Sequence, residues 1–432
     1  MTRSTLAPFA LAALASFAPS AALAQQPLST FLRAAGEHAL DVREAEAAMR
    51  QARSQVDEAR ARLLPSITGQ LSYQRNEPVV EITIPTGETD GMGNPITRQA
   101  SITPRDQFGA LASVSVPIVD LSAWAGYFAT EAVADASDAQ LDLVRQNVDV
   151  AVVQLWHQLV AQRALVEAAE RNLQAAQAAR DAAAARVEVG VSGQLELARA
   201  DAELARARQA LSEARLAATL AARNLENLTS VRPTEERAPL EDDLSPEAPL
   251  ERFLARANEM PAVRAARHQA RAAGIQRDSA WMAMLPTISA TGVARWSNAA
   301  GFGRQDSYYV GLTATWTLDF ARPARIGTAE AALEGAEVRA ERAVQQVETA
   351  IFEAWQRVEA SRASAEAASA ALEASRRAAQ DARARYEAGA GTQLEQIQAE
   401  RDLFQAEVAH IQAIANLRVA RAVLRIRSGL DV

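Results

Sequence analysis

The sequence predicts an α+β membrane protein in which long antiparallel α-helices, expected to form an α-barrel, are combined with four transmembrane β-strands per chain. Three observations lead to this prediction. The chain of 432 residues contains two internal repeats, each repeat holds a very long helical segment, and each holds two segments that alternate polar and apolar residues.

The internal repeat is clearest around two glycines. The segment from Arg186 to Gly190 matches the segment from Arg385 to Gly389 at a shift of 199 residues, and the same shift takes Asp120 to Asp319. The match divides the mature chain, 25–432, into three parts. They are repeat one (28–229), a proline-rich acidic linker (230–249) and repeat two (250–428).

Upstream of the aspartates the repeat contains an insertion. Leu64-Pro65 matches Leu285-Pro286 at a shift of 221, so that 22 extra residues lie in the first repeat. They fit the segment from Asn76 to Arg105, which is rich in proline and glycine and is therefore predicted to be a long loop.

The N-terminus has the pattern of a secretory signal peptide, residues 1–24. An apolar stretch from Leu6 to Ala18 precedes the small-residue site Ala22-Leu23-Ala24. A membrane-spanning helix is the competing interpretation, but it needs about 20 apolar residues and this stretch is shorter. Since the chain has no cysteine, lipid attachment through cysteine and structural disulfides are excluded.

Composition also narrows the function. The net charge of −8 argues against a nucleic-acid partner. Four scattered histidines form no metal-binding spacing, and no nucleophile or phosphate-loop motif is present, so that the sequence predicts neither an enzyme nor a cofactor or metal site.

Four segments have the period-two pattern of strands: Ser66–Arg75, Gln107–Val116, Thr287–Trp296 and Tyr308–Leu318. One polar and one apolar face is typical of a transmembrane barrel, and a soluble antiparallel sheet with one wet face is the alternative. Aromatic residues favour the barrel, because two girdles are expected at membrane interfaces. The predicted interface aromatics are Trp124, Trp281, Trp316 and Phe320 where strands meet helices, and Tyr73, Trp296 and Tyr308 near the opposite rim.

Two helices are predicted to be exceptionally long. Ser122 to Val189 contains no proline, and at 1.5 Å per residue it would extend about 100 Å. Its counterpart begins near Pro323 and ends near Ala388. A periplasmic coiled-coil adaptor or a structural spacer is the alternative, but neither needs strand pairs at matched positions. Since four strands cannot close around a lumen and an open edge cannot face lipid, several copies must share one barrel.

The chain resembles the TolC-type outer-membrane efflux proteins over nearly its whole mature length. The resemblance rests on the Leu-Pro pairs, on the strand ends at Pro117–Asp120 and Trp316–Asp319, and on the duplicated order of arginine, glycine four residues on and acid six beyond that. It implies a homotrimer with a 12-stranded barrel in outer-membrane lipid of a Gram-negative bacterium. It also implies a long periplasmic helical tunnel, a periplasmic adaptor (membrane fusion) protein and an inner-membrane transporter as partners.

The resemblance also implies two sites at the ends of the helical hairpins. Residues expected to dock onto the adaptor are Val189, Gly190, Val191, Ser192, Ala388, Gly389, Ala390, Gly391 and Thr392. Glu196 and Glu395 are expected to ring the periplasmic gate, where carboxylates would favour cations. Structural interpretations stand beside both: the glycines allow positive φ where a helix ends, Thr392 and Glu395 form a capping box, and Glu196 lies in a first helical turn.

Overall fold

The computed structural model describes residues 27–234, 240–299, 304–317 and 319–430. The predicted signal peptide, 1–24, and Leu318 at the predicted end of the last strand lie outside these residues. The chain forms two compact units. Within the described residues, the hairpin-tip unit comprises 27–34, 152–244 and 364–416, and the sheet unit comprises 35–151, 245–363 and 417–430.

Most of the described chain is helical. The helices are α1 (Leu28–His38), α2 (Leu40–Ala61), α3 (Leu121–Glu188), α4 (Gln194–Thr229), α5 (Leu250–Leu254), α6 (Pro261–Met282), α7 (Ala321–Glu387) and α8 (Gln393–Arg427). The two longest helices, α3 and α7, therefore start and end within two residues of the predicted bounds. Pro323 lies in the first turn of α7, where its missing N–H has no helical partner to lose.

The strands are β1 (Ser66–Arg75), β2 (Val80–Thr89), β3 (Pro95–Thr103), β4 (Asp106–Val119), β5 (Thr287–Ser297) and β6 (Asp306–Thr315). Four of them form one antiparallel sheet in the order β1-β4-β5-β6, and the other two form a separate pair. The prediction that the last strand extends to Leu318 is wrong for Trp316 and Thr317, because β6 ends at Thr315. Thr315 pairs with Thr287, the first residue of β5, so no partner strand remains for Trp316 and Thr317.

The prediction of a long loop from Asn76 to Arg105 is also wrong, because this segment contains the hairpin of β2 and β3. Most of its prolines and glycines lie at the ends or the turn of the hairpin, whereas Pro85 and Gly87 lie inside β2, where the pairing register shifts. At the turn, Asp90 Oδ1 accepts hydrogen bonds of 2.9 Å from the backbone N–H groups of Met92 and Asn94. Between these markers the valine, isoleucine and threonine residues favour strands.

Alanine dominates the packing between helices. In the hairpin-tip unit, α3 and α4 contact each other through Ala176, Leu204 and Ala207, with Leu173 packed against them. Small side chains let the helix axes approach closely, so a modest apolar volume is enough to exclude water. Among the described helices, none is long and apolar enough to cross a lipid bilayer.

Candidate functional site

The four-stranded sheet has two chemically distinct faces whose register holds across all four strands. On one face, apolar side chains lie side by side, as in the row Ile67, Val114, Gly292 and Val310. On the other face, small polar side chains do the same, as in the row Ser66, Ser115, Thr291 and Gly311. Because successive residues of a strand point to opposite faces, the alternation seen in each strand adds up to two continuous surfaces.

Both faces are solvent-exposed in the single chain. On β6, Val310 and Leu312 of the apolar face are 82% and 73% exposed. On β1, Ile67 and Leu71 of the same face are 79% and 87% exposed. An apolar surface of this size on an unpaired sheet is unfavourable in water and marks a surface that contacts lipid or another protein.

The seven predicted interface aromatics lie at the two ends of this sheet. Where strands meet helices, Trp124 is in the first turn of α3, Trp281 is in the last turn of α6, and Trp316 and Phe320 lie between β6 and α7. Near the loop end, the residues are Tyr73, Trp296 and Tyr308. All seven are exposed, and the Tyr73 ring centroid lies 5.2 Å from that of Phe108, in a tilted arrangement; Phe108 is an eighth aromatic residue that the prediction did not include.

Two aspartates fix the junctions between strands and long helices. Asp120 Oδ1 accepts hydrogen bonds from the Ser122 hydroxyl (2.7 Å) and the Ala123 N–H (2.9 Å), and Asp319 Oδ1 accepts one from the Ala321 N–H (2.9 Å). Each carboxylate thus caps the first turn of its helix. The repeat marked both aspartates as equivalent, but the sequence comparison did not assign them this role.

The two hairpin tips have the same backbone geometry. Gly190 has φ = 77° and Gly389 has φ = 71°. The N–H of Val191 donates to the carbonyl of Arg186 (2.9 Å), and the N–H of Ala390 donates to the carbonyl of Arg385 (2.8 Å). This Schellman arrangement ends α3 and α7 identically, and the left-handed conformation at its centre explains the glycines.

The side chains at the two tips differ. The first tip exposes aliphatic groups, since Val189, Val191 and Leu195 are 72%, 75% and 63% exposed. At the equivalent positions the second tip has the smaller residues Ala388, Ala390 and Gly391. Its Leu394 is 44% exposed. An added Cβ at Gly391 would lie 3.0 Å from Arg385 Cβ, a closer approach than most Cβ atoms make.

The two predicted gate acids have different surroundings. Glu395 is exposed and closes a capping box: its Oε2 accepts the Thr392 N–H (3.0 Å), and its own N–H donates to Thr392 Oγ1 (3.2 Å). Glu196 is half-buried, and its Oε2 has no hydrogen-bond partner among the described residues. The capping interpretation is confirmed for Glu395, whereas the carboxylate of Glu196 is not used for capping.

Contacts between the two hairpins were not predicted, because they join residues about 200 positions apart. Gln393 Nε2 donates to the carbonyl oxygen of Glu196 (2.8 Å). The Arg186 guanidinium lies over the Tyr386 ring, 4.2 Å from its centroid. Arg186 and Tyr386 both lie within the repeated motifs, and this was the only feature of the sequence that pointed to them.

A salt bridge joins α4 and α8. Arg401 Nε lies 2.8 Å from Glu203 Oε2, and Arg206 Nη1 lies 3.0 Å from the same oxygen. Burial raises the pKa of the Glu203 carboxyl, but the hydrogen bonds from Arg401 and Arg206 lower it by a larger amount. The pKa of Glu203 is therefore below its usual range. The carboxylate therefore stays charged and holds the two helices together.

Among the described residues, no group of three or more histidine, aspartate or glutamate side chains is placed to hold a metal ion. The fold, mostly helical with an antiparallel sheet, matches that of solved outer-membrane channels. These structural neighbours are channels and not enzymes.

The chain belongs to the outer membrane efflux protein family, whose model matches residues 31–230 and 254–429. A search of curated protein sequences gives no match. Solved structures with the same fold include CusC, with a TM-score of 0.77 and 19% identity, covering 95% of this chain and 96% of CusC.

Two further structures have the same fold. The CmeC outer membrane channel of Campylobacter jejuni has a TM-score of 0.76 and 19% identity, covering 94% of this chain and 86% of CmeC. The open state of the MtrE outer membrane channel of Neisseria gonorrhoeae has a TM-score of 0.74 and 20% identity, covering 94% and 90%.

Proposed function

We propose that this chain is the subunit of a trimeric outer-membrane channel in a tripartite efflux or type I secretion system of a Gram-negative bacterium. It would receive substrates from an inner-membrane transporter and a periplasmic adaptor and conduct them across the periplasm and the outer membrane. The observation that carries this proposal is the four-stranded sheet with one apolar face, one polar face and unpaired edges at β1 and β6.

The physical argument concerns the edges. In hydrocarbon, every backbone N–H and C=O must be hydrogen-bonded within protein, so a sheet with two open edges cannot be inserted alone. Three copies would supply 12 strands, with β6 of one copy beside β1 of the next, and would leave no edge. The apolar face would then contact lipid, and the polar face would line water.

The domain organisation fits the same proposal. We infer that residues 1–24 are a signal peptide and that 25–432 form the mature channel subunit. Repeats 28–229 and 250–428 would each contribute two strands and two long helices, and the linker 230–249 would lie outside the tunnel. The order of helices and strands is the same in both repeats except for the inserted hairpin of β2 and β3.

The hairpin tips are proposed to dock onto the adaptor. Support comes from the aliphatic side chains of Val189 and Val191, which are 72% and 75% exposed in the single chain. The first tip would contribute most of the apolar contact, because the second carries alanine and glycine. Glu196, whose carboxylate takes no part in capping, is the better of the two candidates for the gate.

Conductance in a planar lipid bilayer tests the channel. The purified mature protein should migrate as a trimer on an unheated gel and as a monomer after boiling, and it should produce discrete current steps. A water-soluble monomer that conducts no ions would contradict the proposal and would favour the alternative, a periplasmic coiled-coil adaptor or spacer.

Efflux in cells tests the docking site. Gly190→Trp places a bulky group at the first tip, and Gly193→Trp places the same group three residues later, at the start of α4, where φ is −86° and the space is equally open. If the tip docks, Gly190→Trp should abolish efflux with trimer assembly intact, and Gly193→Trp should have a smaller effect. Equal, unchanged efflux in both variants would contradict docking at this tip.

A further inference from the structure

The polar face of the four-stranded sheet carries a single charged side chain. Its residues on β1, β4 and β6 are serine, threonine, glutamine, glycine, leucine, proline and tyrosine, and β5 adds threonine, serine, valine and Arg295. The other charged residues of these strands are Arg75, Asp106 and Asp306. They lie at the loop ends of their strands and belong to the opposite, apolar face. Arg295 is therefore isolated among neutral groups.

The surroundings of Arg295 leave its charge uncompensated. It lies in the row Gln70, Leu111, Arg295 and Ser307, two residues from the end of β5. Its side chain is exposed, and among the described residues no carboxylate forms an ion pair with it. The acids on the two neighbouring strands have other partners, since Asp306 of β6 pairs with Arg304 at 3.0 Å and Asp106 of β4 accepts a 2.9 Å hydrogen bond from the Tyr73 hydroxyl.

We propose that Arg295 determines the charge preference of the barrel: three copies form a ring of guanidinium groups that binds and favours anions. The inference rests on the proposed function, because it requires the polar face to line a shared lumen. Rings of arginine or lysine select for anions and phosphates in pores. A guanidinium also matches phosphate oxygens in pairs, so multivalent phosphates are the expected ligands.

The expected radius of the barrel is small enough for the charge of this ring to act on ions at the barrel axis. Twelve strands spaced by ~4.8 Å and tilted by ~40° give a backbone radius of about 12 Å. Arginine side chains that extend inward from this wall lie within one Debye length of the axis, which is about 10 Å at 0.1 M salt and about 3 Å at 1 M. The influence of the ring on permeating ions should thus be strong in dilute salt and weak in concentrated salt.

Pyrophosphate is the probe for the experiment. Added to the side of the bilayer that faces the loop end of the sheet, it should reduce the current through the wild-type trimer in 0.1 M KCl, and the block should weaken in 1 M KCl. Side-specific addition is needed because the carboxylates proposed for the gate have the opposite charge, so that overall ion selectivity combines both sites.

Three variants isolate Arg295. Arg295→Gln should weaken the pyrophosphate block at least tenfold, and Arg295→Glu should shift the reversal potential in a KCl gradient toward potassium. Arg295→Lys, which keeps the charge, should stay within about threefold of wild type. Arg75→Gln is the matched control. It removes an arginine of β1 that lies on the apolar face of the sheet, and it should leave the block unchanged.

The outcomes separate the two proposals. A wild-type protein that conducts but is not blocked by pyrophosphate, or a block that is equal in Arg295→Gln and wild type, overturns the role of Arg295 and leaves the channel intact. A wild-type protein that conducts no ions overturns the channel and the ring together. Because the first readout uses the wild-type trimer, it does not depend on the folding of any variant.

Discussion

Arg186 of the first hairpin covers the ring of Tyr386 of the second, with its guanidinium carbon 4.2 Å from the ring centroid. A cation over an aromatic face contributes about 1 kcal/mol when it is partly desolvated, and the Tyr386 side chain is almost fully buried. The contact therefore joins the two hairpins just before both tips.

Replacing Arg186 with methionine should loosen both tips. The loss of about 1 kcal/mol corresponds to about fivefold faster hydrogen exchange at the amides of Val191 and Ala390, whose hydrogen bonds close the two turns. Arg199→Met, an exposed arginine on α4, is the control and should leave these rates unchanged. Equal rates in wild type and Arg186→Met would show that the contact contributes nothing.

Acid should weaken the connection between α4 and α8. Hydrogen bonds from Arg401 and Arg206 outweigh the effect of burial, so that the pKa of Glu203 is lower in the folded chain than in the unfolded chain. A group of this kind stabilises the fold above its unfolded pKa, and the contribution disappears as the pH falls through the folded pKa.

Hydrogen exchange near Glu203 should thus show less protection in acid than at pH 7, by about 1 kcal/mol in local opening free energy. Glu203→Gln should lower protection at pH 7 and remove most of this pH dependence. The exposed residue Glu213, which accepts a hydrogen bond from Gln209, provides the control Glu213→Gln. A pH dependence that persists in Glu203→Gln would assign it to other groups.

Asp149 should have the opposite dependence on pH. Burial on α3 raises its pKa from 3.8 to about 6. The folded chain then binds more protons than the unfolded chain between these values, so stability falls as the pH rises through this window. At pH 7, Asp149→Asn should stabilise the protein by about 1 kcal/mol, a value reduced from the full shift because the side chain is only half-buried.

The measurement for Asp149 is thermal unfolding at two pH values. The gain in Tm for Asp149→Asn should be present at pH 7 and vanish well below pH 3.8, where the wild-type carboxyl is protonated in both states. A gain that is the same at both pH values would mean that the charge is not the cause. The exposed residue Asp201 forms an ion pair with Arg180, so Asp201→Asn should be destabilising instead.

The glycines flanking the first tip should respond differently to a side chain. Gly190→Ala forces an alanine into φ = 77° and should cost about 1 to 2 kcal/mol, although the space around it is open. Gly193 is the N-cap of α4 in an extended conformation without a side-chain hydrogen bond, so Gly193→Ser should stabilise the helix by a few tenths of a kcal/mol. Hydrogen exchange in the first turn of α4 measures both, and equal effects would contradict the role of φ.

The sequence predicted those features that follow from local periodicity. The alternating pattern predicted the bounds of β1 as they are observed. The absence of proline predicted each end of α3 to within one residue. The glycines at positive φ and the Thr392–Glu395 capping box were also correct, because each depends on residues close in sequence. The hairpin of β2 and β3 was missed because proline and glycine counts outweighed the strand-forming residues between them.

Features that depend on spatial packing were not predictable. Whether Arg186 meets Tyr386, or Gln393 meets Glu196, depends on how two hairpins lie side by side, and the residues concerned are far apart in sequence. The same holds for the end of β6, which is set by the length of β5 and not by its own alternating pattern. Local sequence therefore determined the elements, and packing determined the contacts at the tips.

Adjacent residues of β6 distinguish a membrane-embedded sheet from a soluble one. Leu312 lies on the apolar face opposite Ala290, and Thr313 lies on the polar face opposite Ser289. If the apolar face contacts lipid, Leu312→Arg should destabilise the protein by about 2 kcal/mol in lipid vesicles, since a charge on the lipid face is costly well inside the bilayer. Thr313→Arg adds the same charge to a wet surface and should cost less than 1 kcal/mol. If instead both faces are wet, Leu312→Arg replaces an exposed apolar side chain and should be neutral, so that equal urea unfolding curves for the two variants would contradict the membrane assignment of this sheet.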